Sequence, residues 1–309
     1  MKKSNFIANF GYIILFGFFG TIISFLTLSL LIIQCKEMFL QAPYLSTKES
    51  LLLASVLCAT DTVAALTILK EKSFPTLNSI LFGEGVVNDA VSILLYRAVE
   101  NLIKAEQTTH AMTSVTSEEI IMMLITFGYL SICSISIGVF FGLLCAYIFK
   151  NLNLGSHPVR EIFLVLLFAY LSYITSEMLS FSGIMTLFCC GFSMATYAFK
   201  NLSPESKIGS VLAIETIGHS AEAFVFTYLG ISIYSIESST FSLSFTFVLL
   251  LSCLLARTAG VFIPAFCIGA FSCFKLRISL KQLILIWYSG IIRGAIAFGL
   301  SLQISSIIG

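Results

Sequence analysis

Long apolar runs follow one another along almost the whole chain, separated by short polar segments. A helix that crosses a bilayer needs about 20 mainly apolar residues. Nine runs approach or exceed this length, and they span residues 10–34, 50–69, 77–103, 119–149, 161–179, 181–199, 209–233, 241–273 and 282–308. The pattern predicts an all-α membrane protein with about nine transmembrane helices. No linker interrupts the series, so residues 1–309 are interpreted as one transmembrane domain.

Composition supports a lipid environment and excludes several classes of function. Of the 309 residues, 58% are hydrophobic and 11% are charged, whereas soluble domains carry about 25% charged residues. A net charge of +1 gives no basis for a nucleic-acid partner. The chain has nine cysteines without a C-x-x-C pair, only three histidines, and no nucleotide-binding loop. We therefore expect neither an enzyme nor a cofactor, and no metal beyond a transported ion.

The Lys and Arg residues give the orientation of the chain, because cytoplasmic loops are enriched in them. With a cytoplasmic N-terminus and nine spanning runs, eleven of the 17 fall on the cytoplasmic side and three on the opposite side. The remaining three lie within runs. This asymmetry predicts a multi-pass protein whose N-terminus is cytoplasmic.

Charged residues inside the apolar runs are the first candidates for function. An ionised side chain at the bilayer centre costs about 2.5–3.5 kcal/mol on insertion scales, so it persists where it is paired or lines a water-filled path. The chain places these residues at membrane depth: Asp61, Glu84, Asp89, Glu177, Glu222, Arg257 and Arg293.

The run 77–103 contains the densest polar group, Phe82-Gly83-Glu84-Gly85-Val86-Val87-Asn88-Asp89. Glu84 and Asn88 are four residues apart and share a helix face. A carboxylate beside a neutral amide, as in Asn88-Asp89, offers hard oxygen ligands to a small cation. The alternative is a polar pair that only packs inside a helix bundle.

Two runs carry signals of an interrupted helix. Thr60-Asp61-Thr62 lies within 50–69, and its side chains compete for backbone hydrogen bonds. Ser289-Gly290-Ile291-Ile292-Arg293-Gly294 lies within 282–308, where two glycines flank an arginine. As the second and ninth runs, they cross the membrane in opposite directions. Interrupted helices of opposite sense are typical of an inverted repeat with an ion site at its centre.

These segments resemble the eukaryotic sodium/proton exchangers of the monovalent cation:proton antiporter family. The segment Leu53 to Asp61 is similar to the family's A-T/V-D-P segment, and Phe82 to Asp89 is similar to its F-G-E-x-x-x-N-D motif. Further matches follow in order, at Ser182-Gly183-Ile184-Met185, Ala221-Glu222-Ala223-Phe224-Val225-Phe226, Ala256-Arg257 and Ile292-Arg293-Gly294-Ala295-Ile296-Ala297-Phe298. Gly85 after F-G-E, Thr62 after T-D, and the two residues between Ser289-Gly290 and Arg293-Gly294 resemble the vacuolar or endosomal branch.

The resemblance implies a fold of inverted six-helix repeats with two crossing interrupted helices. It implies a secondary transporter that exchanges one Na+ or K+ for one H+ without net charge movement, and so regulates pH and cation content. The expected location is an endosomal or vacuolar membrane, or the plasma membrane. Family members carry about three helices before the first run and one after the last, so the chain resembles a partial exchanger domain. A homodimer is also implied, although much of the family's dimer contact lies in those helices.

On this hypothesis, Asp89 carries either the cation or the proton. Asn88 positions Asp89 or binds the ion through its own carbonyl oxygen. Thr60 and Asp61 complete the site from the interrupted helix.

Four further charged residues are predicted to support the site. Glu84 and Arg257 are expected to form a buried ion pair between two helices, the alternative being that each faces a water-filled funnel. Arg293 is predicted to compensate helix-end dipoles at the crossing, and Glu222 is given a similar role.

Two other functions remain open. A cation channel could use the same charges, but channels use rings of carboxylates or carbonyls along a continuous pore. A truncated relative that does not transport, and acts in assembly or regulation, is the other alternative. The sequence does not choose between Na+ and K+.

Overall fold

The computed structural model describes residues 8–35, 46–69, 74–109, 117–151, 157–235, 243–271 and 278–308. Within these ranges the regular structure is entirely helical. The helices are α1 (Phe10–Cys35), α2 (Thr47–Leu57), α3 (Val63–Ile68), α4 (Pro75–Thr109), α5 (Ser117–Asn151), α6 (Pro158–Met178), α7 (Gly183–Ser193), α8 (Pro204–Ser235), α9 (Leu243–Phe271), α10 (Leu280–Ser289) and α11 (Ala295–Ile308). A π-helical turn lies within α1 at Leu15–Phe19, and another follows α7 at Met194–Ala198.

The chain forms two compact units. One comprises Met1–Glu119 with Ser235–Gly309, and the other comprises Ile120–Tyr234. The first unit contains both segments for which an interrupted helix is predicted.

Both predicted interruptions are confirmed. Helix α2 ends at Leu57 and α3 begins at Val63, whereas α10 ends at Ser289 and α11 begins at Ala295. The helix that precedes each break starts with a capping box, Ser46 with Glu49 for α2 and Ser279 with Gln282 for α10. In each, the serine hydroxyl and the longer side chain satisfy backbone N–H groups that a helix start leaves open.

The glycines of the second break make room for groups that pack against the backbone. Neither Gly290 nor Gly294 has a positive φ, so their backbone conformation does not require glycine. A Cβ on Gly294 would lie 2.7 Å from Asp61 Cβ, and one on Gly290 would clash with the Arg257 guanidinium. Glycine is needed here because other groups pack directly against the backbone.

Small residues let α1 and α9 approach closely. A Cβ on Gly20 would lie 2.8 Å from the Gly260 carbonyl oxygen, and one on Gly260 would clash with the Ser24 hydroxyl. Ser24 Oγ donates a hydrogen bond across the contact to the Ala256 carbonyl oxygen, at 3.1 Å. Contacts of this kind are common between helices in membranes. There, van der Waals packing between closely spaced backbones drives association in place of the hydrophobic effect.

The second unit is held by hydrophobic packing and a buried hydroxyl network. Its core comprises residues of α5, α6, α7 and the π-helical turn after α7. Cys145, Phe168, Cys190 and Met194 are among them. Thr186 Oγ1 lies 2.7 Å from Ser176 Oγ and 3.1 Å from the Ser134 carbonyl oxygen, which joins α5, α6 and α7.

Five helices of the described part are long and apolar enough to cross a membrane. They are Phe10–Cys35, Pro75–Lys104, Ile120–Asn151, Pro158–Met178 and Leu243–Cys267. They coincide with five of the nine predicted runs. Of the other four, two are the interrupted helices, which contain no continuous span, and the count of nine stays a prediction.

We expect Gly260→Val to destabilise the first unit by about 1–3 kcal/mol, because the added side chain overpacks the α1–α9 contact. The measurement is the thermal unfolding midpoint of the protein in detergent. Gly299→Val on α11 is the control, since a Cβ at Gly299 meets no atom within 4 Å among the described residues. Equal midpoints for the two variants would contradict the close contact.

Candidate functional site

The turn between α2 and α3 is attached to two other parts of the first unit. The Thr60 N–H donates to Asn88 Oδ1 on α4, at 2.9 Å. The Asp61 N–H donates to the Ile292 carbonyl oxygen in the second break, at 2.8 Å. The two interrupted helices therefore meet at their breaks, and α4 lies alongside them.

Asn88 uses both ends of its amide. Its Oδ1 accepts from Thr60, while its Nδ2 donates to Thr21 Oγ1 at 2.8 Å and to the Cys58 carbonyl oxygen at 3.2 Å. The side chain is buried, at 2% exposure. Reversing the amide would place its NH2 group against the Thr60 N–H, so these partners fix its orientation. Asn88 thus links α1, α4 and the break.

Asp89 and Asp61 lie near one another in this part of the unit. Asp89 follows Asn88 on α4, and Asn88 binds the turn that contains Asp61. Both side chains are partly exposed rather than fully buried. A third oxygen, Thr60 Oγ1, is buried and has no hydrogen-bond partner in the described part of the chain. The turn and the adjoining part of α4 therefore contribute two carboxylates, and the turn adds a hydroxyl group for which the described residues offer no hydrogen-bond partner.

Thr60 also lines a small cavity. The cavity has a volume of about 10 Å³, and its walls are formed by Ser24, Leu28, Leu57, Cys58, Thr60, Ala256, Arg257 and Arg293. This volume is about that needed for one water molecule. Within the described residues, no group of three or more His, Cys, Asp or Glu side chains is arranged to hold a metal ion.

Arg293 lies at the end of α2. Its Nη1 donates to the Ala59 carbonyl oxygen, at 2.8 Å, two residues after the last residue of that helix. Carbonyl groups at a helix C-terminus carry partial negative charge, which a cation stabilises. The guanidinium therefore sits where a positive charge offsets the helix end.

Glu84 and Arg257, which were predicted to pair, are in contact. Arg257 Nη2 lies 2.6 Å from Glu84 Oε1, with exposures of 5% and 0%. The same guanidinium donates to the carbonyl oxygens of Ile286 and Trp287 near the end of α10, at 2.5 and 3.3 Å. One arginine of α9 thus fastens α4 and α10.

Glu222 lies in the other unit. It is on α8, 13 residues before that helix ends at Ser235, so it is not at a helix end. Its side chain is half exposed in that unit, and His219 Nδ1 lies 3.7 Å from Glu222 Oε2. The predicted supporting role of Glu222 stays a prediction.

The residues that the sequence did not reveal are neutral ones. Thr21 accepts from Asn88, and Ile292 accepts from Asp61 through its carbonyl. Thr21 is one hydroxyl among many in an apolar run, and a backbone carbonyl leaves no mark in a sequence.

Replacing Glu84 with alanine is expected to destabilise the protein by about 3–5 kcal/mol, because Arg257 is left buried without its counter-charge. Thermal unfolding in detergent measures the loss. Glu215→Ala, which removes an exposed carboxylate from α8, is the matched control. A midpoint for Glu84→Ala equal to that of the control would show that the pair contributes little.

The sequence matches one family over nearly its whole length. The profile described as "Sodium/hydrogen exchanger, transmembrane" matches residues 1–306. "Sodium/hydrogen exchanger 1" of Oryza sativa subsp. japonica is 36% identical over 310 residues, covering 97% of this chain and 56% of that protein. "Sodium/hydrogen exchanger 8" of Gallus gallus is 33% identical over 312 residues, covering 98% of this chain and 52% of that protein. The chain thus spans about half the length of these relatives.

A solved structure shares the fold. The sodium proton antiporter MjNhaP1 of Methanocaldococcus jannaschii superimposes with a TM-score of 0.64 at 18% sequence identity, covering 100% of this chain and 70% of that chain. This likeness confirms the predicted all-α antiporter fold. The profile match and the identity to the plant and animal relatives establish that the chain belongs to the transmembrane sodium/hydrogen exchanger family.

Proposed function

We propose that this chain exchanges a monovalent cation, Na+ or K+, for a proton at Asp89. The observation that carries the proposal is the turn Thr60-Asp61-Thr62, which is hydrogen-bonded to Asn88 directly beside Asp89. It brings a second carboxylate and an unused hydroxyl to the same part of α4. Such oxygen ligands suit a small monovalent cation.

The charges of the five predicted charged site residues in the first unit support an electroneutral exchange. Glu84 and Arg257 cancel because they are in contact. Arg293 and Asp61 contribute one charge of each sign. Asp89 is then left with one negative charge, which either a cation or a proton neutralises. Because one carboxylate holds one of the two at a time, loading one ion releases the other.

The neutral residues hold this carboxylate in place. We assign Asn88 to positioning, because its Oδ1 accepts from Thr60 while its Nδ2 donates to Thr21 and to the Cys58 carbonyl oxygen. Thr60 Oγ1 and the Asp61 carboxylate are the proposed additional ligands. Arg293 offsets the negative end of the α2 dipole and so stabilises the open turn.

The Lys and Arg distribution supports a multi-pass topology with a cytoplasmic N-terminus. We propose an endosomal, vacuolar or plasma membrane as the location. A homodimer is proposed on the family resemblance alone.

The test is cation-driven pH change in proteoliposomes that contain the 309-residue chain. With the wild-type chain, adding Na+ or K+ is expected to dissipate an imposed pH gradient. Asp89→Asn is expected to reduce the rate to that of empty liposomes, because the amide carries no exchangeable charge. Glu118→Gln, at an exposed carboxylate, is the control and is expected to behave like the wild type.

Three outcomes would contradict the proposal. Proton flux that survives in Asp89→Asn would exclude this residue as the carrier. A cation-dependent electrical current in the wild type would favour the channel, since electroneutral exchange passes no net charge. A wild-type chain that moves neither ion would favour the relative that does not transport.

A further inference from the structure

Thr62, the third residue of the turn, occupies a notch on α4 that exists because residue 85 is glycine. A Cβ on Gly85 would clash with Thr62 Oγ1 and would lie 3.3 Å from Thr62 Cβ and 3.6 Å from Thr62 Cγ2. We call this space the Gly85 notch. It lies four residues before Asp89, which is about one helical turn.

The hydroxyl of Thr62 is anchored in the notch. Thr62 Oγ1 donates to the Leu81 carbonyl oxygen at 3.0 Å, and Thr62 is only 2% exposed. Its own carbonyl oxygen accepts from the N–H groups of Ala65 and Leu66, both at 3.1 Å, and so begins α3. One residue therefore joins the start of α3 to the body of α4.

The turn is attached to α4 on both sides of Asp61. Thr60 binds Asn88 and Thr62 binds Leu81, seven residues apart on α4 and thus separated by about 10 Å along its axis. Leu81, Gly85 and Asn88 lie on one face of the helix at i, i+4 and i+7. The turn follows this face, and Asp61 lies between its two attachments.

Asp61 is confined from the opposite side by a second glycine. A Cβ on Gly294 would lie 2.7 Å from Asp61 Cβ and 2.8 Å from Asp61 Oδ2. Asp61 therefore packs against the second break, while Thr62 next to it is held in the Gly85 notch.

The other glycine of α4, Gly83, has an apolar neighbour, because the side chain of Ile13 on α1 covers it. The Gly85 notch differs because its occupant is a polar side chain that hydrogen-bonds within it, adjacent to an acidic residue. Helix packing alone would be served by an alkyl group there.

We propose that Thr62 is a positioning residue for the cation site, and that the Gly85 notch sets its place and hence the separation of Asp61 from Asp89. This inference rests on the proposed function. A methyl group at residue 85 pushes Thr62 and the turn away from α4, and Asp61 moves with them. Removing the Thr62 side chain beyond Cβ makes room for that methyl group.

The pair is tested by a double-mutant cycle in proteoliposomes and in detergent. The variants are Gly85→Ala, Thr62→Ala, the double variant and Thr62→Ser, with Gly299→Ala as the control for adding a methyl group to a helix where no atom lies within 4 Å. Three quantities are measured: the Na+ concentration for half-maximal exchange, the maximal rate, and the Na+-induced rise in the unfolding midpoint.

Gly85→Ala is expected to raise the half-maximal Na+ concentration at least about tenfold, as coupled neighbours commonly do. Adding Thr62→Ala removes the clash but also the Leu81 anchor, so the double variant is expected to be about as impaired as Thr62→Ala alone, whereas independent effects would accumulate. Thr62→Ser keeps the hydroxyl and is expected to remain close to the wild type. Gly299→Ala is expected to leave all three quantities unchanged.

The inference is overturned if the impairments of Gly85→Ala and Thr62→Ala simply add in the double variant, or if Gly85→Ala binds and exchanges Na+ like the wild type. It is also overturned if Gly85→Ala lowers the unfolding midpoint without changing the Na+-induced rise, because the notch would then serve stability only. A wild-type chain that responds to neither Na+ nor K+ refutes the proposed function and this inference together. Failure of the inference alone leaves wild-type exchange intact.

Discussion

The structure of the first unit depends on satisfying the backbone groups of a helix that is broken inside the membrane. An unpaired N–H or carbonyl is costly in lipid, so a break persists only where other groups replace the lost helical bonds. Here Asn88 binds the Thr60 N–H and the Cys58 carbonyl, and Arg293 binds the Ala59 carbonyl. Asn88 and Arg293 therefore stabilise the broken helix itself, whether or not an ion is bound.

The same requirement explains why two breaks occur together. The Asp61 N–H is satisfied by a carbonyl that the second break exposes, that of Ile292. Neither break is complete without the other, and a site built at this crossing has parts from regions more than 200 residues apart. The Arg257 ion pair fastens α4 to the end of α10 beside the crossing, so the two acidic residues at the turn rest on a fixed frame.

Much of this arrangement follows from the sequence, since charges and turn-forming residues stand out against apolar runs. The breaks at Thr60-Asp61-Thr62 and Ser289 to Gly294, and the choice of Glu84 and Arg257 as partners, are of this kind. Contacts of neutral residues are not, because their partners are distant in the chain: Thr21 with Asn88, or Thr62 with the Gly85 notch. The sequence marks the second break by its glycines but does not show which groups Gly290 and Gly294 make room for.

The capped half-helices determine the depth of the crossing. Helix α2 has 11 residues and α10 has 10, so each is about 15–16 Å long, close to half of a hydrocarbon layer of about 30 Å. Both helices start with a capping box and have nearly equal lengths. Two such helices end at the same level when they enter the bilayer from opposite leaflets. The cation site proposed at that level is then about equally far from both aqueous phases. The matched lengths of the two short helices thus place the proposed site near the middle of the hydrocarbon layer.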